Sequence, residues 1–371
     1  MTEFLLHSAP WVVPVDGPVI ADGGVVIKEG RICAVDSLPA LRQQFPQLDP
    51  IHHPLAALTP ALVNAHIHVE LSHLVELSKV PLATSFTGWI QQLLALRDQQ
   101  GATGEQVEAA ARQTAELQYQ QGCSVLVDIG NTDTGQVLTS DFPGRLLAYR
   151  EYLGLAAFTL EKNLQRLATE TETTRCCGHA PYSTHPRLLQ ALKKRAKDLG
   201  HVFPLHVAEP KAESEMLAVG RGEMVDFIQD RGFWDGSFIA TGRSGSIRYL
   251  HQLGLLDEQT LCVHAVHVDT EEIEILAGEG SKVCLCPGSN RFLQVGKAPV
   301  PQYLAAGLLP ALGTDSLASN PQLSLWREMA LLAEDHPGID AEAIFAMATQ
   351  SGAEALGVQR HLCTLSPGKE A

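Results

Sequence analysis

Three short segments place metal-binding residue types at the ends of apolar runs. His66 and His68 stand two residues apart in NAHIHVE, His206 lies in PLHVAEP, and Asp315 lies in LGTDS. Alternate side chains of a strand point to one face, so the two histidines of HxH can reach the same point. Three imidazoles and one carboxylate suit a borderline divalent cation with room left for a water. The spacing predicts a metal site that holds Zn²⁺, with Fe²⁺ as the alternative.

Two more residues extend this site toward catalysis. Glu209 follows His206 by three residues in HVAE, and His264 lies in CVHAVHVD. A glutamate that does not bind the metal can carry a proton to the ring nitrogen of an amidine-like C–NH₂ group. The alternative is that Glu209 only orients His206. We expect His264 to polarise the nucleophile or hold the developing tetrahedral centre, and Asp315 to accept a proton.

The elements that must position these residues form a repeating scheme. Eight apolar runs end in polar residues, and a helical stretch follows each: ALVNAHIHVE, CSVLVDIGN, RLLAYREYLG, RCCGHAPYS, VFPLHVAEP, LCVHAVHVD, KVCLCPGSN and LLPALGTDS. Eight alternating strands and helices predict a (β/α)8 TIM barrel over 59–357, with the active site at the strand C-termini. A doubly wound sheet is the alternative, but it needs a Gly-rich phosphate turn after its first strand, and we find none.

Local signals define some boundaries. Thr103 and Gln106 have the spacing of a capping box before a helix over 105–121, and Asp269 can cap the helix TEEIEILA. Val/Ile runs separated by Asp-Gly-Gly and Glu-Gly turn signals predict a small β-sandwich over 1–58. We expect 358–371 to begin the return of the chain to this sandwich, whose C-terminal part is then truncated.

Composition limits the class of partner. The chain has 371 residues and a net charge of 27 − 42 = −15, which argues against nucleic acid and anionic membranes. No apolar run approaches the ~20 residues of a membrane span, and the N-terminus lacks a basic signal-peptide region. Eight cysteines without a CxxC pair favour free thiols. We expect a cytoplasmic protein with a small-molecule substrate, and a homodimer is possible by analogy with other barrels.

The motifs together resemble the amidohydrolase superfamily over nearly the whole chain. HxH after strand one, histidines after strands five and six, and aspartate after strand eight carry the resemblance. HVAE resembles the deaminase and chlorohydrolase branch. CPGSNRFLQVGKAPVPQYLAAGLLPALGTDSLASN resembles adenosine-like and aminodeoxyfutalosine deaminases, and HIHVELS followed by SFTGW is more similar to the aminodeoxyfutalosine group than to the S-adenosylhomocysteine group.

The resemblance also bears on the number of metal ions. Binuclear members of the superfamily carry a carboxylated lysine at the end of strand four. Here that strand ends in RCCGHAPYST, and the nearest lysines, Lys193 and Lys194, lie well along the following helix. We therefore predict a single divalent ion.

Six residues at or near strand ends are candidates for substrate contact: Glu70, Phe86, Trp89, Arg150, His179 and Arg291. Glu70 can accept hydrogen bonds from ribose hydroxyls, or form a salt bridge at the rim. His179 matches the HAPY segment of the family, although a buried structural histidine is the alternative. An aromatic ring after strand one can stack on a base, and an arginine can pair with a substrate carboxylate; core packing and surface ion pairs are the corresponding alternatives.

The predicted function is hydrolytic deamination of the 6-amino group of a 5′-modified adenine nucleoside, with aminodeoxyfutalosine of menaquinone synthesis as the first candidate. The alternatives are deamination of S-adenosylhomocysteine, 5′-methylthioadenosine, guanine or another heterocycle, and removal of chlorine from a halogenated ring. Hydrolysis of a cyclic amide is disfavoured by the presence of Glu209, because it is deamination that needs a proton shuttle to a ring nitrogen. A non-catalytic metal-binding barrel is the alternative from another class.

Overall fold

The computed structural model describes residues 4–80, 85–236, 240, 242 and 245–371. The first part of the chain forms a five-stranded sheet in which the long strands have the order β3-β2-β1-β4, and β5 pairs with the end of β1. Its strands are β1 (Phe4–Val12), β2 (Ile20–Lys28), β3 (Arg31–Ser37), β4 (Pro50–His52) and β5 (Ala57–Leu58).

The two predicted turn signals of this sheet have different outcomes. Glu29 and Gly30 join β2 to β3 with φ of 53° and 69°, as a type I′ hairpin requires, so this turn is confirmed. The Asp-Gly-Gly turn is wrong, because these residues lie inside β2. A Cβ on Gly24 would lie 2.8 Å from the carbonyl oxygen of His7. The glycine therefore permits close packing of β1 and β2.

One helix and the chain end complete this unit. Helix α1 (Leu38–Gln44) buries Leu41 against Leu6 and Val26 of the sheet. At the other end of the chain, Gly368 N–H donates to the Ile32 carbonyl (2.8 Å), and Ile32 N–H donates to the Lys369 carbonyl (2.8 Å). The last residues thus lie against β3.

All eight predicted barrel strands are present. They are β6 (Leu62–Ile67), β7 (Cys123–Gly130), β8 (Arg145–Tyr152), β9 (Arg175–Gly178), β10 (Phe203–Val207), β11 (Thr260–His264), β12 (Lys282–Leu285) and β13 (Ala311–Leu312). They pair in parallel as β6-β7-β8-β9 and β10-β11-β12-β13.

Backbone hydrogen bonds join the two four-stranded sheets at both seams. His206 N–H donates to the His179 carbonyl (2.9 Å), and Thr314 N–H donates to the His66 carbonyl (2.9 Å). The parallel bridge between Ile67 and Asp315 lies at the second seam. The fold is therefore a TIM barrel, and both seams meet at the ends of strands that carry the candidate ligands.

Helices connect the strands around the outside. They are α2 (Phe86–Gln100), α3 (Glu105–Gln120), α4 (Thr134–Leu138), α5 (Ala157–Thr169), α6 (Pro186–Leu199), α7 (Lys211–Val219), α8 (Glu223–Asp230), α9 (Ser246–Gln252), α10 (Thr270–Gly278), α11 (Pro287–Phe292), α12 (Val300–Ala305), α13 (Leu325–Asp335), α14 (Ala341–Met347) and α15 (Gln350–Ala355), with a 3₁₀ segment, Val69–Lys79, after β6.

The two predicted caps differ in outcome. The capping box of α10 is confirmed: Glu272 N–H donates to Asp269 Oδ1 (3.0 Å), and Asp269 N–H donates to Glu272 Oε2 (3.3 Å). The Thr103 cap is wrong, because α3 starts after Gly104, whose φ of 115° favours glycine, and has no side-chain cap.

All eight cysteines are free thiols, and seven of them are buried. Within the described part of the chain, no helix has both the length and the apolar character needed to cross a membrane.

Candidate active site

The four predicted ligands meet at the C-terminal ends of β6, β10 and β13. His206 Nε2 lies 3.2 Å from Nε2 of both His66 and His68. Asp315 Oδ1 lies 3.7 Å from His66 Nε2 and 3.5 Å from His68 Nε2. Ligand atoms at tetrahedral positions about 2.0–2.1 Å from a zinc ion lie roughly 3.3 Å from one another. The donor set therefore fits one small divalent cation.

Neighbouring groups turn these donor atoms toward a common point. The Nδ1 of His68 donates to the Ile129 carbonyl (2.7 Å), and the Nδ1 of His206 donates to the His179 carbonyl (3.0 Å). These bonds leave both Nε2 lone pairs facing the site. Asp315 Oδ2 accepts hydrogen bonds from two serine hydroxyls, Ser289 (2.5 Å) and Ser319 (2.9 Å), which leaves Oδ1 facing the imidazoles.

The pKa shifts of His66 and Asp315 also suit a cation. Burial lowers the pKa of His66 to about 3, so its imidazole is neutral. For Asp315, burial opposes ionisation, but the hydrogen bond with His66 and the neighbouring imidazoles hold its pKa well below the usual range. Neutral imidazole and ionised carboxylate are the ligand forms that a metal requires.

The backbone at these strand ends is strained. Ala208, His264 and Asp315 have φ of 52°, 70° and 60°, although none is glycine. Such conformations cost roughly 1–3 kcal/mol each and concentrate at active sites. They turn Glu209, His264 and Asp315 toward the centre at the point where each strand ends.

Glu209 and His264 lie side by side next to the ligand set. Glu209 Oε1 is 3.6 Å from His264 Nε2, and both side chains are buried. Burial, followed by the charges of Asp315 and Glu213, raises the pKa of Glu209 well above its usual range. His264 Nδ1 donates to Asn290 Oδ1 (3.0 Å), which leaves Nε2 free to accept a proton or hydrogen bond. Burial therefore favours the protonated form of the Glu209 carboxyl, which lies beside Nε2 of His264.

The end of strand four offers no lysine. Lys193 pairs with Asp257 and donates to Thr260 Oγ1 (2.7 Å), and Lys194 pairs with Asp198 (2.7 Å). Both lie on α6 rather than on the lining of the barrel mouth. This placement agrees with a donor set for one ion.

A cavity of about 420 Å³ opens above the candidate metal site. One wall is a face of α2 that presents Phe86, Trp89 and Leu93. Trp89 is nearly buried and donates to the Ala318 carbonyl (3.2 Å), so its indole is fixed. His179 also lines the cavity and is hydrogen-bonded through Nδ1 to Ser183 Oγ (2.6 Å). Both aromatic candidates and His179 thus reach the cavity.

Glu70 also lines the cavity, but protein donors already occupy its oxygens. It accepts hydrogen bonds from Asn131 N–H (3.1 Å) and Thr132 N–H (2.9 Å), and it pairs with Arg97 Nη2 (3.0 Å). Its surroundings match the salt-bridge alternative better than a free acceptor for ribose hydroxyls.

The two arginine candidates require a correction. Arg150 pairs with Asp133 and with Glu170, and Arg291 pairs with Glu334 and Asp335. Neither lines the cavity above the metal site. Residue 150 lies near a strand end, and residue 291 lies on α11, but the pleat and the helix turn direct both side chains away from the barrel mouth.

Four residues near the reacting centre were not singled out from the sequence. Asn290 and Ser289 hold His264 and Asp315, while Glu213 Oε1 accepts a hydrogen bond from Ala208 N–H (2.8 Å) and holds the loop before Glu209. Glu151 lines the cavity and accepts from Asn131 Nδ2 (2.6 Å). The sequence offered a signal for three of these residues. Ser289 and Asn290 belong to the CPGSN motif, and Glu151 lies near the end of a predicted strand.

Comparison with known proteins agrees with this geometry. The chain is 29% identical to the 5-methylthioadenosine/S-adenosylhomocysteine deaminase of Moorella thermoacetica, over 97% of this chain and 82% of that protein. It is 27% identical to the aminodeoxyfutalosine deaminase of Deinococcus radiodurans, over 92% and 83%. The structure of Helicobacter pylori aminofutalosine deaminase with methylthio-coformycin has a TM-score of 0.81 at 23% identity, covering 99% of this chain and 90% of that chain. Residues 57–371 match the amidohydrolase family, and the chain belongs to that family.

Proposed function

We propose that this amidohydrolase removes the 6-amino group of a 5′-modified adenine nucleoside by hydrolysis, and that aminodeoxyfutalosine is its first candidate substrate. The coarser conclusion, a hydrolytic deaminase of adenosine-like nucleosides that acts on C–N bonds, follows from the family and from the deaminases that resemble the whole chain. The identity of the 5′ group is the part that we propose.

The pair formed by Glu209 and His264 carries the proposal. Deamination of an amidine needs a proton on the ring nitrogen before water can attack the carbon, and a second proton on the leaving amine. Glu209 is buried, its pKa is raised by that burial, and it lines the cavity beside the donor set. Hydrolysis of a carbon–chlorine bond needs no proton on the leaving group, but it also gains from a proton on the ring nitrogen, so the choice of deamination is supported by the deaminases that resemble the chain.

The other residues have complementary roles. His264 Nε2 accepts a hydrogen bond from the attacking water, because its Nδ1 is committed to Asn290. Asp315 takes the proton that the water loses, and its two serine partners keep the carboxylate in place. His179 and Phe86 contact the base and keep its C6 above the donor set.

One divalent ion completes the proposed site. His66, His68, His206 and Asp315 would hold it, and Zn²⁺ suits three imidazoles and a carboxylate at these separations. When bound, such an ion lowers the pKa of water toward ~7 and so supplies hydroxide at neutral pH.

An ammonia-release screen tests the proposal. The substrates are aminodeoxyfutalosine, 5′-methylthioadenosine, S-adenosylhomocysteine, adenosine, guanine and cytosine. We expect ammonia and the inosine analogue from the adenine nucleosides, with the highest kcat/KM for aminodeoxyfutalosine. Release from guanine or cytosine alone would refute the nucleoside class, and equal kcat/KM for all adenine nucleosides would refute the choice of aminodeoxyfutalosine.

A further inference from the structure

Arg97 is the only lysine or arginine among the described residues that line the cavity. It lies on α2, on the same face as Phe86, Ile90, Leu93 and Leu94, which also line the cavity. Positions three, four, seven, eight and eleven after Phe86 share one side of a helix. The α2 wall of the cavity is therefore apolar over its first turns and ends in a single guanidinium group.

The contacts of Arg97 fix its position without using all of its donors. Nη2 donates to Glu70 Oε1 (3.0 Å) and Nη1 donates to Asn131 Oδ1 (3.2 Å). A guanidinium has five N–H groups, so three remain for a ligand. The side chain is 18% exposed, whereas that of Glu70 is 4% exposed, so the exposed part of this pair is the cation.

Arg97 is not the only group that stabilises the carboxylate of Glu70. Two backbone N–H groups, those of Asn131 and Thr132, and the Thr132 hydroxyl also donate to its carboxylate. These donors share the stabilisation of the Glu70 charge. The guanidinium is held in place before a ligand arrives, which lowers the ordering cost of binding.

A chain of contacts relates Arg97 to the candidate metal site. Asn131 accepts from Arg97 and donates to Glu151 Oε2 (2.6 Å), and Glu151 Oε1 lies 3.7 Å from His206 Nδ1. Arg97 therefore lies three contacts away from the candidate ligand His206. With its base at the candidate metal site, a nucleoside would place its 5′ group along the rest of the cavity that Arg97 lines.

We propose that Arg97 binds a carboxylate at the end of an apolar 5′ group, and that the α2 face formed by Phe86, Ile90, Leu93 and Leu94 packs against the apolar part of that group. This inference rests on the proposed function and narrows its substrate to an anionic nucleoside. It assigns to Arg97 the role that the sequence suggested for Arg150 or Arg291.

The test compares two substrates on three proteins. Arg97→Gln keeps an amide donor for Glu70 but removes the charge, and Arg112→Gln removes an ion-paired arginine of α3 as the matched control. The kcat/KM values for aminodeoxyfutalosine and for 5′-methylthioadenosine are measured with each metal-loaded protein. The value for aminodeoxyfutalosine is divided by the value for 5′-methylthioadenosine. A change in this ratio reports recognition of the carboxylate, because effects on folding or on chemistry change both values together.

We expect Arg97→Gln to lower the ratio by about ten- to a hundredfold, the usual range for loss of a charge-assisted hydrogen bond. Arg112→Gln should leave it within about twofold. An equal loss for both substrates would mean that Arg97 only supports Glu70, and it would overturn the inference while leaving the proposed function intact. If the wild-type protein deaminates neither nucleoside, the proposed function falls and the inference falls with it.

The wild-type protein provides a test that does not depend on the folding of a variant. With a carboxylate-binding Arg97, kcat/KM for aminodeoxyfutalosine exceeds that for 5′-methylthioadenosine by at least about tenfold. Equal values for the two nucleosides would overturn the inference.

Discussion

Glu209→Gln separates proton transfer from metal binding. The amide has nearly the shape of the carboxyl group but cannot give up a proton to a ring nitrogen. Glu209 contacts His264 at 3.6 Å, whereas the four candidate ligands contact one another. We therefore expect the variant to keep its metal and its fold while losing turnover.

The size of the loss follows from the burial of this group. General acid–base catalysis contributes about 10²- to 10⁴-fold, which is roughly 3–5.5 kcal/mol of activation free energy at about 1.36 kcal/mol per factor of ten. Glu209 is only 5% exposed, so bulk water cannot replace it. Asp315, a neighbouring carboxylate, is held by two serines and has a pKa well below its usual range, so it is a poor proton donor. We expect a loss toward the upper end of the range, with kcat rather than KM reduced.

The assay follows the absorbance change on deamination, with metal content measured on the same preparation. Glu274→Gln, an exposed glutamate of α10, is the control and should behave as wild type. Turnover of Glu209→Gln within tenfold of wild type would show that Glu209 only orients its neighbours. Loss of the metal from this variant would place Glu209 among the ligands.

Three further results are expected. Active protein should contain one equivalent of divalent ion per chain, and two equivalents in elemental analysis would refute the single-ion site. His206→Ala should lose metal and activity together, because Nε2 of this residue lies 3.2 Å from two other ligands; full metal content in the variant would refute its role. Burial raises the pKa of Glu328 from 4.5 to about 8, so the folded state holds this proton more tightly than the unfolded state. The free energy of unfolding should therefore fall as pH rises between about 4.5 and 8, Glu328→Gln should show a smaller fall in chemical denaturation, and equal slopes would contradict this.

The barrel was predictable because its strands are short apolar runs that end in polar residues. Even β13, which has only two residues in ladder pairing, was marked by ALGTDS. The HxH spacing likewise brought His66 and His68 to one point, since it depends only on the alternation of a strand. Features that repeat along the chain or depend on strand periodicity could thus be predicted from the sequence.

Side-chain direction beyond the strands was not predictable. Arg150 and Arg291 are close to strand ends along the chain, yet ion pairs hold both outside the cavity. Arg97 lies in the last turn of α2 with no motif around it, and only the packing of α2 across the barrel mouth brings it to the cavity. Such placements depend on contacts between elements far apart in sequence, as Gly24 against His7 also shows.

Isotope labelling of the product tests the central claim most directly. Aminodeoxyfutalosine is incubated with the metal-loaded protein in H₂¹⁸O, and the mass of the purine product is measured together with the ammonia released. We predict one ¹⁸O at C6 and one ammonia per turnover, both lost when a chelator removes the metal and restored by about one equivalent of Zn²⁺. Absence of the labelled product, or undiminished ammonia release by the metal-free protein, would contradict a metal-dependent hydrolytic deaminase.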